Sequence, residues 1–104
     1  MANLVPFARA SEIALGKAKS ADLGGIRVAV FHTPDGFLAI EDRCTHAEVR
    51  LSDGWVDGSC VSCPWHGAQF DLKTGAALSA PAILPTRTFP VTRSGDDLFV
   101  DLAP

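Results

Sequence analysis

Apolar and polar positions alternate most clearly between residues 26 and 40, where Ile26-Arg27-Val28-Ala29-Val30-Phe31 and Phe37-Leu38-Ala39-Ile40 flank Pro34-Asp35-Gly36. β-Branched and apolar residues on both sides of this turn signal predict a hairpin, since such residues suit a pleated surface and Pro and Gly supply turn geometry. A second hairpin is predicted near the C-terminus, where Thr88 to Thr92 and Leu98 to Leu102 flank Ser94-Gly95-Asp96-Asp97. Leu4 to Phe7 reads as the start of a first strand, and Ser11-Glu12-Ile13 as a brief helical turn. Between the hairpins, Trp55 to Asp57, Ser59 to Ser62 and Gln69 to Leu72 read as short strands separated by turn chemistry. Punctuation residues recur every 8 to 12 residues or so, the spacing of short strands joined by turns. The expected class is all-β, an antiparallel sandwich in which the segment from about 43 to 85 supplies functional loops on a rigid frame.

Composition narrows the function classes. The chain has 104 residues, 47% of them apolar and 20% charged, with a formal net charge of −3. One domain spanning 1–104 is expected, with little room for both a packed core and a large substrate cavity. No basic run is present, so binding of nucleic acid, which depends on clustered Lys and Arg, is not expected. No apolar stretch approaches the roughly 20 residues that span a bilayer, and Met1-Ala2-Asn3-Leu4 lacks a signal-peptide pattern. A cytoplasmic location is expected. The charge is uneven: residues 1–30 hold four basic and two acidic groups, and residues 31–104 hold five basic and ten acidic. The half that carries the presumed functional loops is therefore the acidic one.

The candidate chemistry lies in two short pairs, Cys44-Thr45-His46 and Cys63-Pro64-Trp65-His66, with sixteen residues between His46 and Cys63. A loop of three or four residues can turn a thiolate and an imidazole toward one point, whereas a strand sends neighbours to opposite faces. Pro64 and Gly67 favour a loop, because Pro removes a ladder donor and Gly permits a tight bend. Two such loops facing each other make a four-ligand metal cage. The cysteine count of three, Cys44, Cys60 and Cys63, fits a metal site in a reducing compartment better than a disulfide framework. On the residues alone, two alternatives stand beside this. Two Cys and two His also suit tetrahedral zinc, and Cys60-Val61-Ser62-Cys63 is itself a C-x-x-C.

The arrangement resembles the Rieske [2Fe-2S] proteins, and among them the small ferredoxin components of bacterial aromatic-ring dioxygenases. The residues that carry the resemblance are Cys44-Thr45-His46, Gly54, Cys63-Pro64-Trp65-His66-Gly67, Phe70-Asp71, Thr74-Gly75 and Pro81-Ala82. It implies a Rieske-type β-sandwich with a two-loop cluster-binding subdomain, and one [2Fe-2S] cluster. Cys44 and Cys63 would hold a buried iron, and His46 and His66 the iron nearer the surface. Two His in place of two Cys bring the oxidised cluster from a formal charge of about −2 to about zero, which eases the addition of an electron. High-potential relatives carry an additional disulfide and cluster-directed hydroxyls. The positions that match these in this chain hold Val49, Trp65, Ala68 and Phe70, which implies a potential in the lower part of the roughly −150 to +300 mV range.

The implied function is that of a one-electron carrier between an NAD(P)H-dependent flavin reductase and a terminal oxygenase, not an enzyme in its own right. Docking would be transient, near His46 and His66, and the chain monomeric. Only His32 remains beyond the two pairs, too few for the His-His-carboxylate iron site of a non-haem oxygenase. Other readings are a redox subunit of another complex, such as a nitrite reductase small subunit or a monooxygenase ferredoxin, and a zinc-stapled interaction module. Among the remaining residues, His32 reads as a surface or edge histidine and Cys60 as a semi-buried thiol. Trp65 reads either as packing or as a shield of the cluster. Glu48, Arg50 and Asp53 read as solvated charges, with partner steering as the alternative. Thr74-Gly75 reads as turn chemistry, and Pro81-Ala82 with Pro85 as a connector that, by resemblance, covers the cluster.

Overall fold

Ten strands and two single 3₁₀ turns account for the regular structure of the computed structural model, which describes residues 3–43, 49–64, 67–78 and 84–103. In chain order the strands are β1 (Leu4–Arg9), β2 (Ala18–Leu23), β3 (Ile26–Thr33), β4 (Gly36–Glu41), β5 (Trp55–Asp57), β6 (Cys60–Ser62), β7 (Gln69–Asp71), β8 (Thr88–Phe89), β9 (Val91–Ser94) and β10 (Asp97–Asp101). They form three antiparallel sheets, ordered β1-β10-β9, β2-β3-β4-β8 and β5-β6-β7. The all-β expectation holds.

Strand β3 explains how the sheets stack. Its run Val28-Ala29-Val30-Phe31 is fully buried at all four positions. Successive side chains of a strand face opposite ways, so a strand buried on both faces shows a continuous apolar run. Val28 and Val30, with Ala39 of β4, pack on Leu98 and Val100 of β10 and on Phe89. Ala29 and Phe31, with Ile40 of β4, pack instead on Leu51, Val61, Cys63, Ala68, Phe70 and Leu72. The four-stranded sheet is thus the middle layer, and the β5-β6-β7 sheet rests on its second face.

The predicted first hairpin is β3–β4, paired from Val28↔Glu41 to Thr33↔Gly36. At the C-terminal end the hairpin is β9–β10, and the segment expected as one strand over Thr88 to Thr92 is split. Thr88 and Phe89 pair with Ile40 and Ala39 of the middle sheet, whereas Val91 to Ser94 pair with β10. Pro90 lies at the break, where its missing N–H interrupts a ladder and lets the chain change sheets. The brief turn is a 3₁₀ turn at Ala10–Glu12, clasped by Asp96: this carboxylate accepts from Ser11 Oγ at 2.7 Å, Ser11 N at 3.0 Å and Arg9 Nε at 3.1 Å. The Ser11 hydroxyl leads in holding the Asp96 carboxyl below its ordinary value, helped by the Ser11 amide and Arg9.

Candidate metal centre

Strand β6 delivers Cys63 to its loop. The Cys63 amide donates to the Ala68 carbonyl at 2.6 Å, and the Gly67 amide donates to the Cys63 carbonyl at 3.2 Å, so the turn closes at its base and hands the chain to β7. Gly67 has φ of +71°, a conformation that glycine adopts without the Cβ penalty. Pro64 and Gly67 lie outside, while Cys63 is fully buried among Leu51, Val61, Ala68 and Phe70. Trp65 and His66 lie outside the described residues.

The first loop leaves β4 at Asp42 and Arg43 and returns at Val49, which packs on the same core, before the 3₁₀ turn Leu51–Asp53. Cys44, His46 and Glu48 also lie outside the described residues, as do Pro81 and Ala82. The stem of this loop is held by a device that the sequence did not disclose. Asp42 is buried, and its carboxylate accepts from the Ser52 amide at 2.7 Å and the Ser52 hydroxyl at 2.5 Å. Two hydrogen bonds satisfy the acceptor oxygens of a polar side chain that burial would otherwise penalise.

Gly54 joins the two stems. A Cβ at this position would sit 1.9 Å from the Ser62 carbonyl oxygen and 3.2 Å from that of Leu51, so only glycine lets the stem of the first loop lie against the residue before Cys63. Gly75 plays a similar part behind the site. Its φ is +78°, and a Cβ would lie 2.1 Å from the Thr86 carbonyl oxygen. Thr74-Gly75 is therefore more than a turn: it admits the segment that follows the proline-containing connector, and Thr86 N donates to the Gly75 carbonyl at 2.7 Å. At the other end of the layer, Asp35 in the β3–β4 turn accepts from the Ser59 hydroxyl and pairs with Lys73 at 3.1 Å. The Ser59 hydroxyl, then Lys73, hold the Asp35 carboxyl below its ordinary value.

Two residues weighed as alternatives find structural places. Cys60 lies in extended strand, half-buried and without a disulfide. Three residues of strand separate Cys60 from Cys63 by about 10 Å, beyond the roughly 7 Å that a disulfide spans between Cα atoms. His32 is half-buried, donates from Nδ1 to the Ile13 carbonyl at 2.8 Å and stacks on Phe37 with ring centroids 4.2 Å apart. It is a packing histidine on the face opposite the site.

The donor chemistry and the stems fit an iron-sulfur group: a thiol without solvent contact at the base of a closed turn, a second stem locked against it, and two Cys and two His in the paired loops. The Rieske [2Fe-2S] domain profile matches residues 3–90 of the chain. The chain belongs to the Rieske [2Fe-2S] family. Its cofactor is accordingly one Rieske-type [2Fe-2S] cluster. A relative from Shigella boydii serotype 4 (strain Sb227), the 3-phenylpropionate/cinnamic acid dioxygenase ferredoxin subunit, is 41% identical over 93 residues, covering 88% of this chain and 87% of its own. The ferredoxin of carbazole 1,9a-dioxygenase from Nocardioides aromaticivorans IC177 superposes with a TM-score of 0.88 at 32% identity, over 93% of this chain and 95% of that one. A ferredoxin solved in complex with the oxygenase of carbazole 1,9a-dioxygenase also superposes with a TM-score of 0.88 at 32% identity, over 94% and 92% of the two chains. This Rieske domain has no helix among its described residues long and apolar enough to cross a membrane.

Proposed function

We propose that this Rieske protein is the ferredoxin component of an aromatic-ring-hydroxylating dioxygenase system, taking single electrons from an NAD(P)H-dependent flavin reductase and giving them to the terminal oxygenase. The match to a subunit named as a dioxygenase ferredoxin, near-complete on both chains, carries this reading. The solved ferredoxin–oxygenase complex among its structural neighbours supports the second half of the path. The same names favour this reading over a nitrite reductase subunit, and the cluster favours it over a zinc module.

Cys44, His46, Cys63 and His66 would be the ligands, within a single domain of residues 1–104 whose cluster-binding part runs from about 43 to 85. The cluster, when bound, supplies one reversible electron at a formal charge near zero in the oxidised state. The protein's own residues set its surroundings. Cys63 anchors from the buried side, the Asp42–Ser52 clasp and Gly54 hold the loop stems together, and Ala68 and Phe70 offer no hydroxyl there. His46 and His66 would face the partners, in a small, transient contact made by a monomer in the cytoplasm. With His32 committed to Ile13 and Phe37, the chain has no histidines left for a second iron site, in keeping with a carrier that makes no bonds itself.

The test is to purify the native protein, measure iron, acid-labile sulfide and the reduced EPR spectrum, and then reconstitute turnover with its reductase and oxygenase. Two irons and two sulfides per chain, a Rieske-type signal, and ring hydroxylation that stops when the chain is omitted are expected. A colourless protein with one zinc per chain, or turnover indifferent to its omission, would overturn the proposal.

A further inference from the structure

The two ligand loops are closed by different means. The second runs between β6 and β7, neighbours in one sheet, and the backbone closes it: the Cys63 amide donates to the Ala68 carbonyl and the Gly67 amide to that of Cys63. The first loop leaves β4, in the middle sheet, and returns to the 3₁₀ turn Leu51–Asp53 that leads into β5, in the third sheet. Its two ends belong to different layers, so strand pairing does not close it.

A side chain takes over that task. Asp42 stands on a fixed backbone. Its amide donates to the Arg27 carbonyl at 2.8 Å, and the preceding Glu41 donates to the Arg87 carbonyl at 2.8 Å and accepts from Thr86 Oγ1 at 3.3 Å. From this post the carboxylate, on a residue only 3% exposed, accepts the Ser52 amide on Oδ1 at 2.7 Å and the Ser52 hydroxyl on Oδ2 at 2.5 Å. Leu51, beside Ser52, is fully buried with Ala29, Phe31 and Ile40 and sets how deep the returning chain sits. Apolar packing has no direction, whereas hydrogen bonds of this length do. Two donors of one residue on two oxygens of another fix both the separation of the loop ends and their rotation.

We propose that Asp42 and Ser52 are positioning residues for the first ligand pair, closing its loop at the neck so that Cys44 and His46 meet the cluster in one geometry. The inference rests on the reading of Cys44 and His46 as ligands and adds to it what aims them. Asp42 stands two positions before Cys44, and Ser52 six positions after His46. Nine residues lie between the two ends, and a segment of that length held only by its ligands would have to meet its closure entropy from cluster binding. With the neck already shut, the fold meets that cost. The second loop needs no such device, because its own backbone bonds close it, so loss of the clasp falls on the first pair.

The experiment compares purified, cluster-loaded wild type with Ser52→Ala, which removes one arm, Asp42→Ala, which removes both, and Ser52→Thr, which keeps both donors. Thr33→Val serves as control. It deletes a buried hydroxyl that donates to the Gly36 carbonyl at 2.9 Å and accepts from the Asp35 amide at 3.1 Å, at the opposite end of β4. The readouts are the line width of the reduced EPR spectrum, the rate of cluster loss to excess chelator and the melting temperature. Ser52→Ala is expected to give broader EPR features and to lose its cluster about fivefold faster, the factor that one lost hydrogen bond corresponds to. Ser52→Thr is expected to match wild type. Thr33→Val is expected to melt lower, with the wild-type spectrum and a loss rate within about twofold. Should Asp42→Ala yield no folded protein, Ser52→Ala decides alone. A Ser52→Ala protein with the wild-type spectrum and the control's rate overturns the positioning role, as does equal broadening in Thr33→Val, which would mark general loosening. Broadening that Ser52→Thr does not reverse also overturns it. Wild-type protein without a Rieske-type signal overturns the ligand reading and the positioning role together, whereas a wild-type signal that the clasp variants leave unchanged overturns the positioning role alone.

Discussion

Gly54 and Ala68 show how single positions govern the site. Gly54 lies so close to the Ser62 carbonyl that an added Cβ would occupy the same space at 1.9 Å, and the obstacle is backbone that cannot rotate away. Gly54→Ala is expected to destabilise the protein by about 2–3 kcal/mol, the usual scale of overpacking, and to lower the iron bound per chain because the two stems are pushed apart. Thermal melts and iron analysis check this, and a variant with full iron and an unchanged melting temperature would show that the stems are not joined here. Ala68 is buried beside Cys63 and bonded to it through the backbone. Ala68→Ser offers a hydroxyl where none stands. One added hydrogen bond of about 1 kcal/mol to the more negative, reduced state corresponds to a rise of roughly 40 mV in a one-electron potential. A redox titration of the variant that shows no rise would place the hydroxyl out of reach. The two short Cys-His pairs stand out in the sequence as candidate ligands because metal-ligand chemistry favours such residue types at close spacing. Asp42 was not: its role depends on meeting Ser52 ten positions on, after a loop has closed, and an Asp followed by Arg looks like any solvated pair.

At the scale of elements, legibility followed how much each strand buries. Strand β3 announces itself by apolar β-branched residues, whereas β2, Ala-Lys-Ser-Ala-Asp-Leu, has little β-propensity and went unread. It exists because β3 provides a partner edge from Ala18↔Phe31 to Leu23↔Ile26, and an edge strand needs fewer apolar side chains of its own. The tie between the first 3₁₀ turn and the β9–β10 turn was likewise invisible, since Ser11 and Asp96 are 85 positions apart. That tie makes a pH prediction. The Asp96 carboxyl is held low, first by the Ser11 hydroxyl, so the folded state prefers it ionised. The stabilisation is then fully present above the ordinary carboxylate range near pH 4 and is lost as pH falls through the lowered folded value. Asp96→Asn is expected to melt below wild type at pH 7, with the gap shrinking as the pH is lowered past about 4. A gap that stays constant with pH would assign the loss to geometry and not to charge.

For the molecule as a whole, the layer order assigns separate duties to the two faces of one sheet. Residues 31–104 looked acidic when charges were counted along the chain, yet folding collects Arg43, Arg50 and Arg87 with Arg27 on the side of the ligand loops, a feature that no linear count contains. The same three-dimensional sorting divides the core. Phe31 faces the layer that holds Cys63, Val61 and Phe70, and Leu98 faces the middle sheet from the opposite layer. Both are fully or almost fully buried, so truncation should be severe at either: about 3–5 kcal/mol for Phe31→Ala and about 2–5 kcal/mol for Leu98→Ala. The site should separate them. Phe31→Ala leaves a cavity beneath the β5-β6-β7 sheet, and its iron-sulfur absorbance is expected to bleach faster than wild type at a temperature where the fold, followed by far-ultraviolet circular dichroism, is still intact. Leu98→Ala should lower the melting temperature by a comparable amount but bleach only as the whole domain unfolds, because its cavity lies on the far side of the middle sheet. Equal bleaching of the two folded variants would mean that the sheets melt as one unit and that the middle sheet does not insulate the metal centre from the layer behind it.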